Sequence, residues 1–392
     1  MSGQREIYLD NSATTKICER ALKKYEQASR DSFGNPSSLH GLGFIAEKEL
    51  KEARATVLSS LGDRDGTVVF TASGSEANNL AIIGRALSKD RYARGAKIIT
   101  TSGEHASVAE PIKRLEGMGF KTAFIPTKGG KLDTDALARE LTPDVILVSF
   151  MMVNNETGAL YDIFGASKMI KEKCPEALLH VDATQSYMKV RFTRRSIGAD
   201  MITLSSHKIE GPKGVGALVI DNKVIKSHGL SPLILGGGQE GGLRSGTENV
   251  PAVAAFAEAI RYCSENLADR INKTASLRGA LIAELSSDEL LKSISPTLPD
   301  SHAPHILNLT LPSIKSETAL HYLSSLGIFV SSGSACSSNS SHLSSALISY
   351  GRSEEEADSS IRISFSPDNT IEDVKALCDG LRSALTKLAR KR

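Results

Sequence analysis

Seven short apolar runs, separated by longer stretches with helical periodicity, restrict what roughly the first 250 residues can fold into. The runs cover residues 67–71, 97–100, 121–125, 144–150, 177–182, 200–204 and 215–220. Several are almost continuously apolar, which is typical of strands buried on both faces. Between them, residues 76–87 place Ala77, Leu80, Ile83 and Leu87 on one helix face. Strands that alternate with helices predict an α/β domain built around a mainly parallel sheet.

The sequence changes character after about residue 250. The predicted elements there are helices at 251–267 and 271–285, strands at 306–311 and 361–365, and a closing helix with Thr370 as its N-cap. Helices and strands no longer alternate regularly in this part. We therefore expect a second, smaller α+β domain.

Charge and cysteine content argue against several classes of function. The net charge is +2, with 47 basic and 45 acidic residues, which gives no electrostatic reason to bind nucleic acid or an anionic membrane. No apolar run approaches the roughly 20 residues that span a bilayer, and the polar start does not resemble a secretory signal. The five cysteines are irregularly spaced and form no CxxC pair, so neither disulfides nor a metal site is predicted. We expect a soluble protein of a reducing compartment, the cytoplasm or an organellar matrix.

Polar residues follow five of the predicted strands, at the sheet edge where α/β proteins bind ligands. They are Gly74 and Ser75, then His105, then Asn155, then Asp182 with Gln185, and finally Ser205, His207 and Lys208. A glycine-containing turn before a helix is by itself a weak sign of an anion site. Together, however, the five strand ends supply a phosphate nest, an imidazole, an amide, a carboxylate and a lysine.

Pyridoxal phosphate requires such a set of side chains. It takes a lysine amine for its Schiff base, an anionic partner for its pyridine nitrogen and a cradle for its phosphate. Lys208 fits the first role and Asp182 the second, while His105 is placed to stack on the ring and Gln185 to donate to its oxygen. The phosphate cradle would comprise Gly74, Ser75, Ser205 and His207. The alternative lysine, Lys213, lies in a turn between Pro212 and Gly214.

The chain resembles the cysteine desulfurases, which belong to the class V aminotransferase family of fold-type I pyridoxal-phosphate enzymes. The resemblance rests on motifs along nearly the whole chain: YLDNSATT (8–15), FGNPSS (33–38), SGEHASV (102–108), VNNETG (153–158), HVDATQS (180–186), SSHKIEGPKGVGAL (205–218), GGGQEGGLRSGTENVP (236–251), SSGSACSS (331–338) and SSIRISF (359–365). It implies a large cofactor-binding domain at 16–260 with a mainly parallel seven-stranded sheet. Residues 1–15 and 261–392 would form the small domain.

The resemblance also implies roles for individual residues. Lys208 would be the Schiff-base lysine and a proton shuttle, and His105 a candidate acid or base. Asn155 and Arg362 would bind the carboxylate of the substrate L-cysteine, with Asn35 as a further substrate-binding residue. Thr247 is similar to a threonine that reaches the phosphate of the neighbouring subunit, which implies a homodimer.

One thiol, Cys336, lies in the run SSGSACSSNSS (331–341). The resemblance implies that its thiolate takes sulfur from the substrate as a persulfide and that alanine leaves. The sulfur would pass to an acceptor such as an iron–sulfur scaffold, or to tRNA thiolation, from a mobile loop at about 329–345. We hypothesise that the cofactor site or His105 helps to deprotonate Cys336. The other cysteines, Cys18, Cys174, Cys263 and Cys378, are interpreted as structural.

Three alternatives remain open on the sequence. A selenocysteine lyase shares most of these motifs but depends less on a loop thiol. A class V aminotransferase with a structural Cys336 would not need the serine-rich run. A non-catalytic pyridoxal-phosphate-binding regulator predicts the loss of a catalytic position, and none is lost here.

Overall fold

The computed structural model describes residues 5–89, 92, 95–332 and 343–388. Its strands are β1 (Ile7–Tyr8), β2 (Thr67–Thr71), β3 (Lys97–Thr101), β4 (Lys121–Ile125), β5 (Val145–Met151), β6 (Leu178–Asp182), β7 (Met201–Ser205), β8 (Gly216–Ile220), β9 (Ser295–Thr297), β10 (Ile306–Thr310), β11 (Ile328–Phe329), β12 (Ser331–Ser332) and β13 (Ser360–Ser364). Its helices are α1 (Glu19–Asp31), α2 (Gly41–Ser60), α3 (Gly74–Ala86), α4 (Ala106–Glu116), α5 (Thr134–Glu140), α6 (Ile163–Lys173), α7 (Arg194–Ile197), α8 (Asn222–Lys226), α9 (Val250–Glu265), α10 (Leu267–Ser287), α11 (Ser316–Ser325), α12 (Ser345–Tyr350), α13 (Glu354–Asp358) and α14 (Ile371–Leu388).

The seven predicted strands form one sheet in the order β2-β8-β7-β6-β5-β3-β4, which confirms the predicted fold class. The predicted strand limits agree with the observed ones to within one residue. All neighbouring strands run parallel except β8, which is antiparallel to both β7 and β2. Only a short connection separates β7 from β8, and a parallel return would require a longer crossover, usually with a helix.

Apolar side chains cover both faces of this sheet. In β8, Ala217 and Val219 pack with helices α1, α2 and α9 on one face. Leu218 and Ile220 pack on the opposite face with helices α3 and α4. All seven residues of β5 are buried. Burial from both sides explains why the strands read as continuous apolar runs rather than as alternating ones.

A separate apolar cluster joins the N-terminal segment to the C-terminal third of the chain. It contains Ile7 and Leu9 together with side chains between Leu277 and Leu385. Strand β1 pairs in parallel with β11, and β10 lies between β9 and β13 in an antiparallel sheet. The domain limits at residues 16 and 260 remain a prediction.

Two helix limits differ from the predicted ones. Helix α9 ends at Glu265 and α10 begins at Leu267, where the sequence predicts an unbroken helix to 267 and a new start at 271. Asn266, between the two helices, has φ −127° and ψ 31°, outside the helical region, although no proline or glycine marks the break. No helix in the described part of the chain is long and apolar enough to cross a membrane.

Candidate active site

The predicted cofactor residues meet at the carboxyl ends of β6 and β7. Asp182 ends β6, and Lys208 follows β7 in a short 3-10 turn, Ser206–Lys208. Gly74 begins α3 and His105 caps α4, and both helices start at this edge of the sheet. Parallel neighbouring strands bring their carboxyl ends to one edge, so residues far apart in sequence become neighbours.

The carboxylate of Asp182 is buried and fixed in position, since only 6% of the residue is exposed. Its Oδ2 accepts a hydrogen bond from Asn78 Nδ2 at 2.8 Å, and its Oδ1 accepts one from the Thr184 backbone N–H at 2.9 Å. Asn78 also donates to Ser107 Oγ at 2.8 Å. Sequence reasoning missed Asn78. Its position in the predicted helix 76–87, off the apolar face of Ala77, Leu80, Ile83 and Leu87, gave no sign of this role.

The hydrogen bonds of His105 fix the tautomer of its neutral ring. Nδ1 accepts from the Ser107 backbone N–H at 3.1 Å and lies 2.8 Å from Ser107 Oγ. The proton of the neutral imidazole therefore resides on Nε2. Burial lowers the pKa of His105; the carboxylate of Asp182 opposes this shift, and the charges of Lys208 and Arg362 add to it. Near neutral pH, His105 offers a proton at Nε2.

The Lys208 amine points at the N-terminal segment of the chain. Nζ donates to the carbonyl oxygens of Ser12 at 2.6 Å and Ala13 at 2.8 Å. Gln185 Nε2 donates to the same Ser12 oxygen at 2.9 Å. The role of these carbonyls was not predicted, because a backbone oxygen has no side-chain signature. Lys213 is exposed.

A phosphate-sized anion fits the N-terminus of α3. A Cβ atom placed on Gly74 would lie 3.2 Å from Ser205 Cβ and 3.3 Å from Thr184 Oγ1, so only glycine keeps this space clear. Ser205 is buried and Ser75 is exposed at the helix start. Unpaired N–H groups and the helix dipole favour an anion there.

The electrostatics of His207 support the same conclusion. Burial and the charges of Lys208, Lys189 and Lys213 lower the pKa of His207 to about 4. Its Nδ1 lies 3.1 Å from Thr14 Oγ1. Burial is the larger cause of this shift, and the three lysine charges beside the ring are ones that a bound phosphate would offset. The chemistry of these residues fits the phosphate group of pyridoxal phosphate.

Arg362, on β13, is buried between two partners. Nη2 donates to Asp10 Oδ1 at 2.8 Å and Nη1 donates to the Asn155 carbonyl oxygen at 2.9 Å. Only 8% of the arginine side chain is exposed, and its Nε has no partner among the described residues. Arg362 and Asn155 are thus in contact, through the backbone carbonyl of Asn155. Asp10 was not predicted.

Two predicted residues, Asn35 and Thr247, are not brought into this cluster. Asn35 is exposed, and its Oδ1 accepts a local hydrogen bond from the Ser37 backbone N–H at 2.9 Å. Thr247 is exposed in the segment before α9. Cys336 lies outside the described residues, as does most of the predicted loop.

The chain is similar to known proteins along nearly its whole length. The model of the aminotransferase class-V family matches residues 7–377. Cysteine desulfurase IscS 1 of Archaeoglobus fulgidus is 37% identical over 385 residues, 97% of each chain. Putative cysteine desulfurase IscS 1 of Bacillus subtilis is 36% identical over 97% of this chain and 99% of its own. Among solved structures, a NifS-like protein superposes with a TM-score of 0.89 at 33% identity, over 98% of this chain and all of its own.

Proposed function

Because the chain belongs to the aminotransferase class-V family and is a pyridoxal-phosphate-dependent cysteine desulfurase, we propose that Lys208, Asp182 and Cys336 carry its reaction. Lys208 would bind the cofactor covalently, and the cradle around Gly74 would hold its phosphate. Asp182, held by Asn78 and the Thr184 N–H, would keep the ring nitrogen protonated. When bound, the cofactor supplies an electron sink that weakens bonds at the α-carbon of the substrate.

Arg362 would bind the carboxylate of L-cysteine. A guanidinium can offer two parallel N–H donors to a carboxylate, and its burial strengthens the attraction. Asp10 holds one side of the guanidinium and the Asn155 carbonyl another, so its plane is fixed before the substrate arrives. Lys208 would then hold or return a proton at the substrate α-carbon. His105 would donate the proton that its Nε2 carries.

Cys336 would accept the sulfur. Its thiolate attacks the sulfur of the substrate, so an S–S bond forms while the C–S bond breaks. The electron pair of the broken C–S bond stays with the substrate carbon. This carbon takes a proton, and alanine leaves. Cys336 then carries a persulfide, whose outer sulfur a thiol acceptor can remove.

The observation that carries this proposal is the register of β12 against β13, which places Ser331 opposite Arg362. The chain enters the segment containing Cys336 immediately after β12, directly beside the proposed substrate arginine. On the other side of that segment, Ser344 Oγ lies 2.5 Å from Glu156 Oε2, next to Asn155. Both described flanks of the cysteine-bearing segment are therefore close to the substrate site.

We further propose a homodimer in which Thr247 contacts the phosphate in the neighbouring subunit. Large apolar side chains are exposed on α1, α2 and the segments beside them: Leu22, Tyr25, Phe33, Leu39, Leu42, Phe44, Ile45, Ile234 and Leu235. Leu39 is 91% exposed and Leu235 is 79% exposed. Large apolar side chains exposed to this degree are typical of a surface that another protein subunit covers. Light scattering should give the mass of a dimer, and Thr247→Ala should weaken cofactor binding.

The sulfur acceptor would be a protein thiol. The first candidate is an iron–sulfur scaffold, and the second is an acceptor that supplies tRNA thiolation. The four cysteines in the described part of the chain are free. A reducing compartment such as the cytoplasm would keep the catalytic thiol active.

The deciding experiment supplies L-cysteine and a reductant and measures alanine and sulfide. Cys336→Ser should keep the cofactor absorbance but form almost no sulfide. Cys18→Ser is the matched control, since Cys18 is half-buried at the start of α1, and it should behave as the wild type. Full activity of Cys336→Ser would refute the role of the thiol. With selenocysteine as substrate, activity that survives Cys336→Ser would instead favour the lyase.

A further inference from the structure

A small cavity lies against Lys208, between the segments that follow β6 and β7 and the C-terminal third of the chain. Its volume is about 30 Å³. Its lining includes the charged or strongly polar residues Asn11, Lys189, Lys208, Glu210, Arg270 and His305. A water molecule needs about 10–15 Å³ of such space, so the cavity has room for an ordered water.

His305 is the first reason to expect an occupant. The residue is 2% exposed, yet neither ring nitrogen has a hydrogen-bond partner among the described residues. Burial lowers the pKa of His305 well below 6.5, and the charges of Lys189 and Arg362 lower it further. A neutral imidazole has one donor and one acceptor, and buried polar groups of this kind are normally paired with protein or ordered water.

Lys189 is the second reason. Among the described residues its side chain has one hydrogen bond, and this bond is long, 3.4 Å from Nζ to Gln185 Oε1, although a charged amine has three protons to donate. Burial, together with the charge of Lys208, lowers the pKa of Lys189 to about 7. Gln185 in turn donates to the Ser12 oxygen that also accepts from Lys208. Lys189 and Lys208 thus line one cavity and are linked through Gln185 and the Ser12 carbonyl.

We propose that one ordered water occupies this cavity, bonded to His305 and Lys189, and that it lets the Lys208 amine exchange protons with Lys189. This inference rests on the proposed role of Lys208 as proton carrier. A proton that leaves the Lys208 ammonium passes to the water, which gives one of its own protons to the neutral Lys189 amine. The reverse transfer restores the initial protonation of both lysines. No oxidation or reduction takes place.

The other charged groups around the cavity have pKa values set by burial and by their neighbours. Burial raises the pKa of Glu210, and the charge of Asp368 adds to this shift, while the ion pair with Arg270 opposes it. Burial raises the pKa of Cys263 to about 12, so this thiol stays protonated. Arg362 stays charged throughout. Lys189 is the basic group of the cavity whose pKa lies near neutral pH.

A crystal structure of the holoenzyme tests the occupant. At about 1.2 Å resolution or better, the cavity should contain a water within hydrogen-bonding distance of a His305 ring nitrogen and of Lys189 Nζ. An empty cavity would overturn the proposal. So would an anomalous peak there after soaking in bromide, because the cavity would then be an anion site.

Proton exchange tests the relay. In D2O, the holoenzyme should exchange the α-proton of L-alanine, which nuclear magnetic resonance detects. Lys189→Met should slow deuterium entry about tenfold or more, with unchanged cofactor absorbance and alanine affinity. His305→Phe should have the same effect and serves as a second variant in case the first does not fold. Lys375→Met, at an exposed position of α14, is the matched control.

The outcomes separate this proposal from the proposed function. If Lys208→Ala exchanges the proton as fast as the wild type, Lys208 is not the proton carrier and the proposed function fails. If Lys208→Ala is inactive while Lys189→Met and His305→Phe exchange at the wild-type rate, only the relay is refuted.

Discussion

Ser344 donates a hydrogen bond to Glu156 across 188 residues of sequence, with 2.5 Å between Oγ and Oε2. The same serine caps α12 by accepting from the Leu347 backbone N–H at 3.1 Å. Glu156 follows Asn155, whose carbonyl holds Arg362. The bond therefore ties the described segment after residue 342 to the proposed substrate site.

Glu156→Gln should weaken this tie in a pH-dependent way. Burial raises the pKa of Glu156 to about 7, so the carboxylate forms mainly above that pH. A hydrogen bond to a charged group contributes about 1.5–3 kcal/mol against about 1 for a neutral one, so we expect sulfide formation to fall about three- to tenfold at pH 8. The loss should be smaller at pH 6, and the KM for L-cysteine should not rise.

Rates of sulfide formation between pH 6 and 8.5 check this expectation. Glu172→Gln, at an exposed position of α6, is the matched control. Parallel pH profiles for the wild type and Glu156→Gln would show that the charge of Glu156 does not matter.

Asn78→Ala should weaken cofactor binding, because it removes the side-chain donor that fixes Asp182. We expect the dissociation constant for pyridoxal phosphate to rise about tenfold or more, since such a bond contributes about 1.5–3 kcal/mol and 1.4 kcal/mol corresponds to a factor of ten. Equilibrium dialysis with absorbance detection measures it. Asn79→Ala is the control, because the Asn79 side chain donates to the Ser75 carbonyl at 2.8 Å rather than to Asp182. Equal affinities of the two variants would contradict the assignment.

His105→Ala should change how persulfide formation on Cys336 depends on pH. The pKa of His105 lies below 6.5, so the wild-type ring becomes neutral as the pH rises toward that value. General acid–base residues contribute about 100-fold or more to a rate. We therefore expect persulfide formation in His105→Ala to slow by about that factor, and the low-pH limb of its pH profile to disappear. Single-turnover mass spectrometry measures the persulfide, with exposed His321→Ala as control. A variant whose profile keeps its shape and height would exclude the histidine.

Glu104→Gln should stabilise the protein increasingly as the pH rises from 5 to 8. Burial raises the pKa of Glu104 from 4.5 to about 8, while Thr101 Oγ1 and the Met151 N–H hydrogen-bond to the carboxyl group. Between these pH values the folded chain holds a proton that the unfolded chain has released, so folding becomes less favourable as the pH rises.

The melting temperature of the holoenzyme measures this effect. An advantage of about 1 kcal/mol for Glu104→Gln corresponds to roughly 2–4 °C. The advantage should be absent near pH 5 and largest at pH 8. A difference that does not change with pH would mean that Glu104 is ionised in the folded protein.

Much of the fold and part of the site follow from the sequence alone. The strands were predictable because burial on both faces leaves a local apolar run, and their limits agree to within one residue. His105, Asp182 and Lys208 were predictable because parallel strands deliver whatever follows them to one edge. The role of Cys336 stays a prediction, which rests on a thiol that stands among serines, where packing would not place it.

The partners of these residues were decided by the tertiary structure. Asp10 meets Arg362 across 352 residues, and the Ser12 carbonyl meets Lys208 across 196. Asn78 could be read only as a polar residue on a helix, and Lys189 and His305 only as ordinary charged or polar residues. Such contacts depend on how the N-terminal segment and the C-terminal third pack against the sheet edge. A local pattern records which side chains are buried, but a long-range hydrogen bond exists only once the two segments have been brought together.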